Sequence, residues 1–140
     1  MKLFQTLTAA AALACGATVG LAQDYALRFQ SSDPAGNPNF ELQQAWAERV
    51  ATLTGGRVTV EMLPVGSIVQ HTETQDAIAT VIIDGHVTDT SYFTGKDAAF
   101  GLIANPVGAY GSPAEMLNFI EYGGGKELMN ELLNPYGLQF

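Results

Sequence analysis

The sequence predicts an α/β fold carried by a mainly parallel sheet, and three observations lead there. The residues that follow an N-terminal apolar run read strand, helix, strand with short polar breaks between them. That is a βαβ unit, whose parallel crossover is expected to be right-handed. A second helical stretch followed by a short strand repeats the alternation further along. Finally, 140 residues that are 47% hydrophobic and 14% charged describe one globular unit with a modest core.

The N-terminus is expected to be removed. "MKLFQTLTAAAALACGATVGLAQ" opens on Lys2, continues as an alanine-rich apolar run and ends on Gly20-Leu21-Ala22. Small residues at Gly20 and Ala22 fit a signal-peptidase site between Ala22 and Gln23, and so an exported, periplasmic protein. A membrane span would need about 20 strongly apolar residues, and Thr6, Thr8 and Thr18 interrupt this run. Residues 1–22 are thus read as a cleavable signal and 23–140 as the folded part. Cys15, the one cysteine, lies inside the signal, so the folded part has no disulfide to lean on.

"DYALRFQSS" alternates, with Tyr25, Leu27 and Phe29 on one face and Ala26, Arg28 and Gln30 on the other, which reads as a strand over 25–31. "DPAGNP" breaks it. Asn37 then caps a helix whose first residue is Pro38. Phe40, Leu42, Ala45, Trp46, Val50 and Leu53 recur near helical spacing, predicting a helix over 38–53 with those residues inward. "TGG" stops it, and "RVTVEML" alternates as a second strand over 57–63. After the "PVGSIVQ" loop, a helix is expected from Gln70 to about Ile83 with Ala77, Ile78, Val81 and Ile82 inward. Asp84-Gly85 ends it, and a third strand follows over 86–91. "FGLIANPVGAYG" carries no clear period. "SPAEMLNFIEYG" is a helix with Ser112 and Glu115 as a capping box and Pro113 first, and "GGKELMNELL" is another. "NPYGLQF" reads as a turn and the opening of a fourth strand, so the chain is expected to be truncated there.

Charge narrows the partners. Six basic residues stand against 14 acidic ones, for a net charge of −8, or −9 without Lys2. An acidic surface argues against nucleic acid and anionic membranes. The sequence contains no nucleophile elbow, Walker loop or dinucleotide fingerprint. His71, Glu73 and Asp76 have no recognised metal-ligand spacing and read as solvated helix residues. A Ser91–His86–Asp89 triad fails on strand geometry, because residues an odd number apart face opposite ways. The informative positions are strand ends. Gln30-Ser31, Gly66-Ser67 and Thr90-Ser91-Tyr92 each fall at the carboxyl end of a predicted strand, where open α/β sheets bind ligands. Tyr92 offers a ring to pack on a small ligand and a hydroxyl to bond it; the alternative is a half-buried tyrosine capping the core. Gln30, Thr90 and His71 join it as candidate ligand-binding residues on position alone.

"TGGRVTVEMLPVG", over 54–66, resembles the helix–strand–loop segment of the substrate-binding proteins of tripartite ATP-independent periplasmic (TRAP) transporters. "QSSDPAGNPNF", "QHTETQDAI", "DTSYFTGKDAAFGL" and "NPYG" are similar to the branch that binds 2-oxo acids and lactate. The resemblance implies a three-layer lobe of the periplasmic-binding-protein type, incomplete because the second lobe is absent. It implies a receptor, not an enzyme, that closes on a small carboxylate and passes it to TRAP membrane permease subunits. Tyr92 matches a ligand-contacting tyrosine of the family motif. The pairing arginine and any metal bound with the ligand would belong to the second lobe, so no cofactor or metal is expected in this chain; a homodimer of the longer protein is compatible. Two alternatives stay open: a binding protein of an ABC-type importer, and a small exported hydrolase using His71 or His86 with nearby carboxylates. Family members often carry glycine where Val81 stands. A β-branched residue resists the left-handed region, so either the helix runs through Val81 or it ends there under strain.

Overall fold

In the computed structural model, which describes residues 24–140 apart from 105 and 107, three parallel strands form the sheet. They are β1 (Tyr25–Ser31), β2 (Val58–Leu63) and β3 (Gly85–Val87), in the order β2-β1-β3. Tyr25 stands opposite Val58 and Gln30 opposite Leu63, while Phe29 to Ser31 pair with Gly85 to Val87. The chain leaves β1 for β2 on one side and returns to β3 on the other. The carboxyl ends of β1 and β3 therefore flank a topological switch point. The expected signal peptide, with Cys15, lies outside the described residues.

Helix α1 (Pro38–Leu53) begins as the sequence predicts, with Pro38 first and the Asn37 side chain accepting from the Asn39 N–H at 2.8 Å. Its buried stripe differs from the expected one. Phe40 and Ala47 are buried and pack with Met62, Phe29, Val60 and Val87, whereas Leu42, Trp46 and Leu53 stay exposed. The stripe runs through Gln43, whose amide bonds Asp33 Oδ2 at 2.9 Å; a polar residue in that row hides the true inner face from a hydrophobicity reading.

The opposite face of the sheet carries helix α2 (Thr74–Ala79), entered by a 3-10 turn at His71–Glu73. This helix is shorter than the predicted 70–83. It ends because Val81 takes φ +59°, a left-handed conformation that strains a β-branched side chain. The turn swings Val81 and Ile82 to the surface and drives Ile83 inward, so Ala77 is buried as expected and Ile83 is buried in place of Val81 and Ile82. Gly85 then opens β3 beneath the Phe29 ring, which a Cβ would meet at 2.6 Å.

The third strand stops at Val87 rather than 91. The Asp89 carboxylate accepts the Ser91 N–H at 2.8 Å and caps a 3-10 turn over Thr90–Phe93. Short polar side chains offer the backbone such local bonds in competition with a ladder. Helix α3 (Ala99–Ala104) arises where the sequence shows no period. Helices α4 (Pro113–Tyr122) and α5 (Gly125–Leu133) follow as expected. Ser112 Oγ accepts from the Glu115 N–H at 3.3 Å, but the Glu115 carboxylate reaches the Gly111 N–H at 2.7 Å rather than that of Ser112, so the capping box is half made. The expected fourth strand is absent among the described residues: Asn134–Tyr136 form a 3-10 turn and residues 138–140 pair with no strand. A second core joins Phe93, Phe100, Met129, Leu133 and Leu138, with Ile78 packed against it from α2.

Candidate functional site

Three loops meet at the carboxyl ends of the strands, and hydrogen bonds fix them to one another. Gln30 near the end of β1 is fully buried. Its Nε2 donates to Val69 O at 2.7 Å, and its Oε1 accepts from the Ile68 and Val69 N–H groups at 2.9 and 3.1 Å. One side chain thus pins the loop after β2. Ser31 Oγ accepts from the Asp33 N–H at 2.9 Å, and the Asp33 carbonyl accepts from Val65 N–H at 3.0 Å. Ser32 N–H donates to Val87 O at 3.0 Å, tying the same loop to the end of β3. Sequence reasoning passed over Asp33 and Gln43; the signal was there in Ser31 and Asp33, two apart before a proline, a spacing that favours side-chain-to-backbone turns.

The four sequence candidates divide. His71, first residue of its 3-10 turn, places its ring 4.7 Å from that of Tyr92, edge to face at 72°. Tyr92 is 45% exposed, held outward by a turn whose other end, Phe93, is buried in the core. These two rings form an edge-to-face pair whose Tyr92 member is open to solvent. Thr90 supports that turn instead of facing free space, its hydroxyl donating to Phe100 O at 3.1 Å. Gln30 has its carboxamide engaged by the 68–69 loop, as above, so it bears on the site through that loop's position.

The triad residues are not assembled. His86 Nδ1 lies 2.7 Å from Thr74 Oγ1, its ring packs on Phe93, and burial lowers its pKa from 6.5 to about 4. Asp89 meanwhile caps the Ser91 amide. With its Nδ1 on threonine and its would-be carboxylate capping a backbone amide, His86 does not form the triad. Among the described residues, no three His, Cys, Asp or Glu gather to hold a metal ion. The cations with described partners are engaged elsewhere: the Arg28 guanidinium donates to Ile82 O at 2.9 Å, Arg57 donates to Thr54 O at 3.3 Å and lies 4.0 Å from Asp24, and Lys96 pairs with Asp76 and lies over the Tyr136 ring. The arrangement offers hydroxyls, backbone and rings to a small ligand, with no charge partner of its own for an anion.

No protein-family model matches the chain. Its fold is nevertheless that of part of a periplasmic solute-binding protein. The chain is 69% identical to a TRAP periplasmic solute-binding protein of Rhodobacter sphaeroides, solved in an apo open form, with a TM-score of 0.80 over 82% of this chain and 36% of that one. Two more distant structures share the fold. A TRAP solute-binding protein of Bordetella bronchiseptica, a mixed-occupancy dimer with calcium and picolinate bound at one site, is 21% identical with a TM-score of 0.73 over 80% of this chain and 33% of that one. A TRAP periplasmic solute-binding protein of Pseudoalteromonas atlantica with bound sodium and pyruvate is 23% identical with a TM-score of 0.65 over 81% and 35%. The chain spans about a third of the length of the structures it matches. An α/β unit of that extent, on one parallel sheet, corresponds to one lobe.

Proposed function

We propose that the chain is the first lobe of a TRAP-type periplasmic solute-binding protein that captures small organic carboxylates, 2-oxo acids such as pyruvate, or lactate. The observation that carries this reading is the 69% identity to the Rhodobacter sphaeroides protein over most of the chain. The crevice supports it: three loops locked together at a switch point present Tyr92 and His71 outward, with Thr90 and Gln30 holding the loops that carry them. A ligand lying against the two rings would be buried when a second lobe closes over it about a hinge. The arginine that neutralises the carboxylate is assigned to that second lobe, since Arg28 and Lys96 are engaged elsewhere. A cation bound together with the ligand is assigned, like the arginine, to the longer protein outside this lobe. The longer protein would deliver its ligand to TRAP permease subunits from the periplasm, as a receptor and not an enzyme, and could pair as a homodimer.

The test is calorimetry on the longer, two-lobed protein with pyruvate and lactate. Tyr92→Ala should weaken binding at least tenfold, on the order of 1.4 kcal/mol or more. Unchanged affinity in that variant would remove Tyr92 from the site.

A further inference from the structure

The two turns that carry His71 and Tyr92 share a polar support. Thr74, the first residue of α2, is buried. Its hydroxyl donates to His71 O at 3.1 Å, closing the first turn, and lies 2.7 Å from His86 Nδ1. The His86 ring also packs 5.7 Å from the ring of Phe93, the neighbour of Tyr92 in the second turn. One imidazole therefore reaches the supports of both rings. It stands opposite Gln30 in the register of the sheet, and so on the same face. Gln30 fixes residues 68–69, and His86, through Thr74, fixes the turn that follows.

Counting hydrogens fixes the tautomer. A hydroxyl has one hydrogen and two acceptor lone pairs, while a carbonyl can only accept. The Thr74 hydrogen goes to His71 O, so the contact with His86 is filled by an imidazole Nδ1–H donating to Thr74 Oγ1. The ring is neutral at pH 7, because burial lowers its pKa to about 4. It then holds a single N–H, and this bond uses it, leaving the lone pair on Nε2. The other tautomer would draw the Thr74 hydrogen to Nδ1 and take it from His71 O, leaving the turn that carries the His71 ring one bond short.

We propose that Thr74 and His86 are positioning residues for the ligand contact: the Nδ1–H imidazole, through the Thr74 hydroxyl and against the Phe93 ring, holds His71 and Tyr92 edge to face. Thr74, 2% exposed, does not itself meet a ligand. The consequence for binding rests on the carboxylate reading above; the positioning of the two rings does not.

Nitrogen-detected imidazole spectra of the 140-residue chain at pH 7 should show His86 protonated at Nδ1 and bare at Nε2. The Tyr92 ring should displace the His71 ring-proton signals. Thr74→Val should collapse that displacement, and Thr74→Ser, which keeps the hydroxyl, should retain it. In the two-lobed protein, Thr74→Val and His86→Phe, the latter keeping a ring against Phe93, should each weaken pyruvate binding about three- to tenfold, the span of one net hydrogen bond. Thr74→Ser should bind like the parent, and the Val–Phe double variant no more weakly than the worse single one. An Nε2–H tautomer would overturn the proposal, as would parent-like His71 signals in Thr74→Val or equal affinity losses in Thr74→Ser and Thr74→Val. Should Thr74→Val fail to fold, the parent's tautomer and the His71 signals of His86→Phe decide in its place. A two-lobed parent that binds neither pyruvate nor lactate, with tautomer and ring signals as predicted, would strike the carboxylate reading and leave the positioning standing.

Discussion

At Val81 the chain departs from what its sequence pattern favours, and the strain is measurable. The residue is 77% exposed at φ +59°, so it returns little by burial while its branched side chain crowds the left-handed backbone. Val81→Gly should stabilise the protein by about 1 kcal/mol, read as a higher urea midpoint at unchanged slope; a loss of stability would show that the side chain contributes something its exposure conceals. His86 sets a pH dependence. Its pKa falls from 6.5 to about 4 on folding because burial disfavours the charged ring. The unfolded chain thus takes up a proton before the folded one does. Stability from this group is full above pH 6.5, drains as the pH drops towards 4, and amounts to roughly 3 kcal/mol. His86→Asn, which keeps a hydrogen-bonding partner for the Thr74 hydroxyl, should flatten the fall in stability between pH 7 and 4.5 relative to the parent. Parallel profiles would refute the assignment. Of these residue-scale features, a glycine-for-valine departure was visible in the sequence, but the burial of His86 was not: it depends on which way a three-residue strand faces.

Among the elements, β1, α1 and β2 were legible because each carries its own signal, alternation in the strands and an Asn-Pro start in the helix. The elements after residue 70 were less so, because side-chain hydrogen bonds decided their ends. Asp89 ended β3 early by capping a turn, and Val81 cut α2 short. Gln30 lies near the end of β1 as the pattern implies, Thr90 and Tyr92 fall in the turn beyond β3 rather than on it, and what each side chain does needed the tertiary contacts. Gln30 shows the difference. Its three hydrogen bonds hold the loop at 68–69, so Gln30→Ala should leave buried backbone groups unpaired and destabilise the protein by about 2–4 kcal/mol. Hydrogen exchange should quicken at Ile68 and Val69 beyond the global effect. Exchange that rises evenly over the whole chain would mean the loop is held by something else.

Across the described residues, the loops after all three strands converge on one edge of the sheet, where Tyr92 stands exposed beside a half-buried His71. On the reading proposed above, that edge is half of a carboxylate site, with weak binding as its signature. Backbone amide shift mapping of the 140-residue chain titrated with pyruvate tests this most directly. The account predicts shifts confined to residues 31–33, 65–71 and 88–93, with saturation no tighter than millimolar. Micromolar saturation, or shifts that cluster away from those three loops, would contradict it.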